Sequence, residues 1–418
     1  MKKIALLFPG QGSQYVGMGK KLYENYSAAR EVFDEANEVL GFDLKELCFN
    51  GDINELTKTE NTQPVILTAS VAAFRVYMEK YGVKPAFLAG HSLGEFAALT
   101  CAGAISFKDA VRIVRNRGRY MQEAVPQGIG AMAAVSGVDK PVIEETCIKV
   151  SDENHLVVVS NHNSKDQIVI SGHTSAVNTA SEILKKHGAR IVPLKVSAPF
   201  HSPLMQPAAD RLREELKLYS YNEPKWQVIS NTTALPYKGK EEIVDNLALQ
   251  IVSPVRWHES MKYLETKGVD MAVELGPQTV LRNLMKRNVP GIPAFSFDNE
   301  DDILLLERKL SNTENKAGEG SGNGLKFLKM CLATAVSTKN TNWNEEEYAK
   351  GVVEPYRRIQ KIKEEMESNS YEPSFEQIKE AAEMLKHIFR TKGVDLKEQR
   401  ERFETISKET GFESLFEM

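Results

Sequence analysis

The chain is poor in what would tie it to a membrane, a metal or a nucleic acid. Only 4 of its 418 residues are cysteine, and Cys48, Cys101, Cys147 and Cys331 form no Cys-x-x-Cys pair. That excludes a disulfide framework and a cysteine-bound zinc, and it points to a reducing cytoplasm. No apolar run approaches the roughly 20 residues of a membrane helix. The first one, 4–8, is stopped by Pro9-Gly10, too early for a signal peptide, and reads as a buried strand. Neither charge dominates: the formal net charge of −4 offers no general attraction to nucleic acid. Neither a metal nor a cofactor is expected. What is present, 42% hydrophobic and 26% charged residues, fits a globular protein long enough for two or three domains.

Strand-like runs at 4–8, 86–89, 227–230 and 271–273 alternate with amphipathic helical patterns at 28–40, 65–81 and 108–124. This alternation predicts an α/β fold with a parallel sheet. Between 127 and 198 the order changes to β-α-β-β-α-β: strands near 130–135, 156–160, 167–171 and 191–196, helices near 141–150 and 175–187. That is the ferredoxin-like signature, expected as a subdomain inserted between two halves of a hydrolase-like core, 1–126 and 199–310. Residues 311–324 are rich in Gly, Ser and Asn and read as a flexible linker. Beyond them, 325–418 carries no strand pattern and predicts an all-α extension of three or more helices. In one of these Ser374 is the expected N-cap, Phe375, Ile378, Ala382, Leu385 and Phe389 follow helical spacing, and Gly393 is the stop. There is no internal repeat.

Gly90-His91-Ser92-Leu93-Gly94 follows the apolar run Phe87-Leu88-Ala89 and precedes a helix-like stretch from Glu95 to Ala102. A strand, a sharp turn with glycine on both sides and a helix make a nucleophile elbow, which raises Ser92 at the helix N-terminus. A tight turn with a capping serine is the bland alternative. Among 8 histidines the best base is His201, in Ala198-Pro199-Phe200-His201-Ser202-Pro203, on a rigid loop just past a strand. His91 adjoins Ser92, but neighbouring side chains diverge at such a turn.

The chain resembles the malonyl-CoA:acyl-carrier-protein transacylase family, whose catalytic unit serves fatty-acid and polyketide synthases. The likeness rests on seven blocks in order across 1–300: Phe8-Pro9-Gly10-Gln11-Gly12-Ser13-Gln14, the elbow through Glu95, Arg117-Gly118 with Met121-Gln122, Asn161-His162-Asn163-Ser164 with Gln167, Phe200-His201-Ser202, Gln250 before Pro254-Val255-Arg256-Trp257, and Glu274-Leu275-Gly276-Pro277. The resemblance implies that Ser92 attacks the thioester and His201 takes its proton, oriented by a backbone carbonyl near Gln250. It places the oxyanion hole at the N–H groups of Gln11 and Leu93, with Gly10 and Gly12 allowing close approach. It gives Arg117 the malonyl carboxylate, although Arg112, Arg115 and Arg119 keep a surface reading open. Phe200 implies malonyl over methylmalonyl, and Asn161, Gln250 and His91 join the substrate-binding set.

Malonyl-CoA and an acyl carrier protein are the implied partners, with no membrane and no nucleic acid. Residues 325–418 match none of the blocks. They read either as a docking module for a polyketide synthase or as an appendage. Two rival functions stay open: an acyl hydrolase clearing stalled carriers, which would not need Arg117, and a non-catalytic scaffold whose extension does the work.

Overall fold

The computed structural model describes every residue except 1, 127, 195, 197, 318–322, 370–372, 374, 413, 414 and 416–418. Among the described residues there are nine strands: β1 Ile4–Phe8, β2 Phe87–Gly90, β3 Gly130–Ser136, β4 Val157–Ser164, β5 Gln167–His173, β6 Arg190–Pro193, β7 Gln227–Ile229, β8 Met271–Glu274 and β9 Ala294–Ser296. The chain divides into two compact units at Leu305/Leu306. No helix among the described residues is long and apolar enough to cross a membrane.

The first unit is built on an all-parallel sheet in the order β7-β2-β1-β8-β9. Every residue of β1, β2 and β8 is buried, as parallel strands covered on both faces must be. β9 was not foreseen; three residues are too short to show a period. Phe8 pairs with Gly90 in register, so the loops after β1 and β2 leave the same sheet edge side by side. The His91 N–H donates to the Phe8 carbonyl at 3.0 Å and ties the two loops together. Functional groups collect at this carboxyl end in open α/β sheets.

The elbow depends on glycine for lack of space. A Cβ on Gly90 would lie 1.9 Å from the Gly94 carbonyl, and one on Gly94 would lie 2.0 Å from the Phe8 oxygen. Gly90→Ala is therefore expected to cost about 3 kcal/mol or more and to abolish activity, as overpacking against fixed backbone does. A denaturant melt within about 1 kcal/mol of the parent would contradict this. The glycines after β1 divide their roles. Gly10 has the Gly90 type of crowding, with 2.4 Å to the His91 oxygen. Gly12 meets no crowding from the protein itself; its φ of 103° is what demands glycine.

The ferredoxin-like subdomain forms as expected, antiparallel in the order β4-β5-β3-β6 with helices Lys140–Val150 and Thr174–Lys186. Its last strand ends at Pro193 rather than 196; proline has no N–H to extend the ladder. Val255 stitches β4 to the core, donating to the Ser160 carbonyl and accepting from the His162 N–H, each at 2.9 Å.

The helix expected at 65–81 begins at Thr59. Pro64 lies inside it and cannot donate to the Glu60 carbonyl four residues back. Arg115 Nη1 supplies that missing bond at 2.8 Å. The extra turn carries Gln63 into the interior.

The expected linker 311–324 is a correction. Helix Glu300–Ala317 runs through 311–317, where no glycine interrupts it, and the next helix starts at Asn323. Residues 318–322, the glycine-rich remainder, lie outside the described residues. The second unit is all-α, as expected, with helices Asn323–Ser337, Glu354–Asn369, Phe375–Lys392 and Leu396–Thr410, and a short Glu345–Tyr348 turn. It closes its own core around Phe327, Cys331, Ile359, Leu385, Phe389 and Phe403. Ile378 and Ala382 are buried as the spacing requires, and Gly393, at φ 69°, ends its helix. Ser374 lies outside the described residues; elsewhere in this unit Asn344 accepts from the N–H groups of Glu346 and Glu347, and Asp395 from those of Lys397 and Glu398.

Candidate active site

Ser92 stands at the tip of the elbow with φ 51° and ψ −107°, a strained backbone for a serine. Asn231, just past β7, holds it there. Its Oδ1 accepts from the Ser92 N–H at 2.7 Å and its Nδ2 donates to the Gly90 carbonyl at 2.7 Å. The serine hydroxyl is thereby fixed toward His201, with Oγ and Nε2 2.8 Å apart.

His201 is buried, and its Nδ1 lies 2.8 Å from the Gln250 carbonyl. A carbonyl only accepts, so Nδ1 carries the hydrogen and Nε2 presents its lone pair to Ser92. Burial and then the nearby Arg117 charge drive the imidazole pKa down to about 3, against the pull of the carbonyl. The ring is thus neutral, and ready to accept a proton, throughout the physiological range. No carboxylate orients it; the backbone does what an aspartate does in many hydrolases.

Arg117 is 1% exposed, which removes the surface reading, while Arg112 and Arg119 point to solvent. Its Nη1 donates to Gln63 Oε1 at 2.8 Å; its Nη2 donates to Gln250 Oε1 at 2.8 Å and to Ser92 Oγ at 3.2 Å. Phe96 lies 5.2 Å below the guanidinium. The buried Nε–H has no partner. A cation within reach of the nucleophile, with a donor unspent, is a receptor for an anionic group on the acyl unit.

Gln11, Leu93, Arg117, Phe200 and His201 line one cavity of ≈ 240 Å³ with Ser92. The cavity is half open to solvent, which gives a thioester a way in to Ser92. Leu93 opens the elbow helix, where N–H groups lack helical partners. Gln11 is steadied by its side chain on Thr59 Oγ1 at 3.3 Å. Asn161 and His91 also face the cavity. His91 turns away from Ser92, as expected, to bond Asn163 Oδ1 at 2.8 Å and pack on Trp257. Eight of the nine site residues singled out in the sequence line this cavity. Gln250, expected in the substrate-binding set, is wholly buried and is not part of the lining; it acts from behind, on Arg117 and His201.

Five others escaped notice: Gln63, Glu95, Asn163, Asn231 and Tyr237. Glu95 and Asn163 lay inside recognised blocks without a role. Gln63, Asn231 and Tyr237 act across long sequence separations that no local pattern reveals. Among the described residues no cluster of three or more His, Cys, Asp or Glu side chains converges as a metal would require.

A strained serine, a neutral histidine and a buried arginine at one pocket define a serine-dependent acyltransferase, and the acyl transferase domain family matches residues 5–294. A Bacillus subtilis (strain 168) protein named malonyl CoA-acyl carrier protein transacylase is 46% identical over 318 residues, 76% of this chain and 100% of its own length. A second of that name from Bacillus subtilis is 39% identical over 399 residues, 96% of this chain and 99% of its own. The malonyl CoA-acyl carrier protein transacylase structure from Coxiella burnetii superposes with a TM-score of 0.72 at 42% identity, covering 74% of this chain and 98% of that one. The chain belongs to the malonyl-CoA:acyl-carrier-protein transacylase family. The 399-residue match is longer than everything before 325, so that relative shares the helical extension as well.

Proposed function

We propose that the protein moves malonyl groups from malonyl-CoA to the phosphopantetheine thiol of an acyl carrier protein through an ester on Ser92. The observation that carries this reading is Arg117, buried in the cavity wall with its Nη2 3.2 Å from Ser92 Oγ. In the first half-reaction His201 Nε2 takes the Ser92 proton as Oγ attacks the thioester carbonyl. The oxyanion develops toward the Gln11 and Leu93 N–H groups. Collapse expels the CoA sulfur, which leaves with the proton from His201. The second half repeats these steps with the carrier thiol as nucleophile. Protein groups alone suffice, so no cofactor is invoked.

Water must be kept from the ester. The acyl carboxylate on Arg117 and the Phe200 wall close the small cavity around it. Phe200 favours malonyl over methylmalonyl, a difference of about 1–3 kcal/mol for one methyl group. A hydrolase would have no use for the buried arginine. A scaffold would not keep Ser92 and His201 at hydrogen-bond distance. Intact-mass measurement after incubation with malonyl-, methylmalonyl- and acetyl-CoA tests the reading. Mass gain from malonyl on Ser92, passed on to a carrier protein, is expected; dominant release of free malonate would overturn it.

We place the enzyme in the cytoplasm, in keeping with four free, buried cysteines. We assign it to fatty-acid or polyketide synthesis, with the helical extension as a docking module for a polyketide synthase. A relative of 318 matched residues lacks this extension, so a chain cut within 318–322 is expected to fold and load malonyl normally. The cut enzyme should lose about tenfold in transfer to its cognate carrier and nothing toward a foreign one, the scale of one lost docking contact. A cut enzyme that matches the whole enzyme in rate toward both carriers would remove the docking role.

A further inference from the structure

The two half-reactions leave one buried ionisable group without a task. Glu95, three residues beyond Ser92, is wholly buried. Its Oε2 accepts from Gln250 Nε2 at 2.7 Å and from the Asn231 N–H at 3.1 Å, and its Oε1 accepts from the Tyr237 hydroxyl. Three converging donors suit an ionised carboxylate. The cation that balances it is Arg117, which it does not touch. Gln250 stands between them, offering Oε1 to Arg117 and Nε2 to Glu95. His201 and His91 also approach this space, and burial keeps both neutral near pH 7.

The amide spacer has a chemical meaning. A carboxylate bonded straight to Arg117 would occupy the prongs that the acyl carboxylate needs. One amide away, Glu95 offsets the buried positive charge and leaves the guanidinium available. The free enzyme therefore holds one buried cation and one buried anion. Loading a carboxylated acyl group adds a second anion to the same dry space. An unbalanced buried charge is costly, and the nearest group able to relieve it is a carboxylate that can be protonated.

We propose that Glu95 is the resident counter-ion of Arg117 and that it takes up one proton from solvent when a carboxylated acyl group is loaded on Ser92, whereas an uncharged acyl group leaves it ionised. This rests on the reading of Ser92 as the malonyl carrier. The chemistry balances: thioester and serine hydroxyl give ester and thiol, the serine proton leaves on the thiol, and the extra proton comes from water and stays on Glu95. Burial raises the Glu95 carboxyl to about 7 in the free enzyme, so near pH 7 about half of the molecules already carry the proton, and uptake on loading approaches one proton per site only above that pH. A group that gains a proton on loading favours the loaded form as pH falls and opposes it as pH rises above the free-enzyme value.

The test compares equilibrium loading of Ser92 from malonyl-CoA/CoA and acetyl-CoA/CoA mixtures by intact mass. CoA thiol ionisation is common to both and cancels in the ratio. In the parent enzyme the malonyl:acetyl ratio should fall by up to about tenfold per pH unit above about pH 7. In Glu95→Gln it should be flat. That variant keeps its hydrogen bonds: the amide oxygen accepts from Gln250 and Asn231, and the NH₂ donates to the Tyr237 oxygen. An indicator dye in lightly buffered solution reads the proton directly, and the parent should take up more with malonyl-CoA than with acetyl-CoA. This second measurement decides the matter should the variant not fold. Malonyl loading with a pH-independent ratio, equal slopes in parent and variant, or no difference in proton uptake would overturn the inference alone. Absence of malonyl loading would overturn the underlying reading and the inference with it.

Discussion

Ser92→Ala leaves malonyl-CoA unable to label the protein and lowers carrier loading by at least about 10⁴-fold, the scale seen when a nucleophile acting as part of a unit is removed. The residue is not replaceable by a neighbour. Oγ is the atom that the φ 51° elbow aims at His201 Nε2, and Asn231 clamps the turn from both sides. The fold should survive, since alanine fits the space and relieves no packing. The measurement is intact mass with malonyl-CoA, together with a thermal melt. A labelled, stable Ser92→Ala protein would mean that another residue carries the acyl group. His201→Ala should approach the same loss without lowering stability much, because the two act on one proton.

Arg117→Ala is expected to lower kcat/KM for malonyl-CoA by roughly 30- to 1,000-fold, about 2–4 kcal/mol, as truncation of a buried hydrogen-bonded charge does. Acetyl-CoA should be affected far less, so the enzyme changes from malonyl-selective to indifferent, with more hydrolysis of what it loads. The direction follows from geometry: Nη2 lies 3.2 Å from Ser92 Oγ, so only an acyl group bearing a carboxylate gains from the guanidinium. The truncation also strands Glu95, which loses its opposite charge and stays protonated at neutral pH. Steady-state kinetics with both thioesters decide the point; an unchanged malonyl:acetyl ratio would remove Arg117 from substrate recognition.

Much of this was legible in the residues, and the reasons differ from place to place. The elbow could be read because its glycines are dictated by backbone crowding, a local constraint that leaves a local mark at Gly90 and Gly94. The strands of the parallel sheet could be read because burial on both faces makes them continuous apolar runs. Arg117 could be placed only by resemblance, since its helix carries three other arginines and nothing in the pattern singles out the buried one. Asn231, Tyr237 and Gln63 could not be read at all. Each meets its partner across 54 or more residues, and such meetings exist only once the sheet has formed. The expected linker reaches too far back because Ser, Asn and Thr weigh in with the glycines that follow them, whereas 311–317 are helical.

The helical extension closes its own apolar core, with Phe327, Leu385 and Phe389 wholly buried. A bundle that completes itself can be inherited as a single piece. One Bacillus subtilis relative is matched along almost all of this chain and another is matched in full by only 318 residues, so both versions are in circulation. Descent can then add or discard the bundle without rebuilding the enzyme. Substitutions can accumulate in one part at a pace the other does not share.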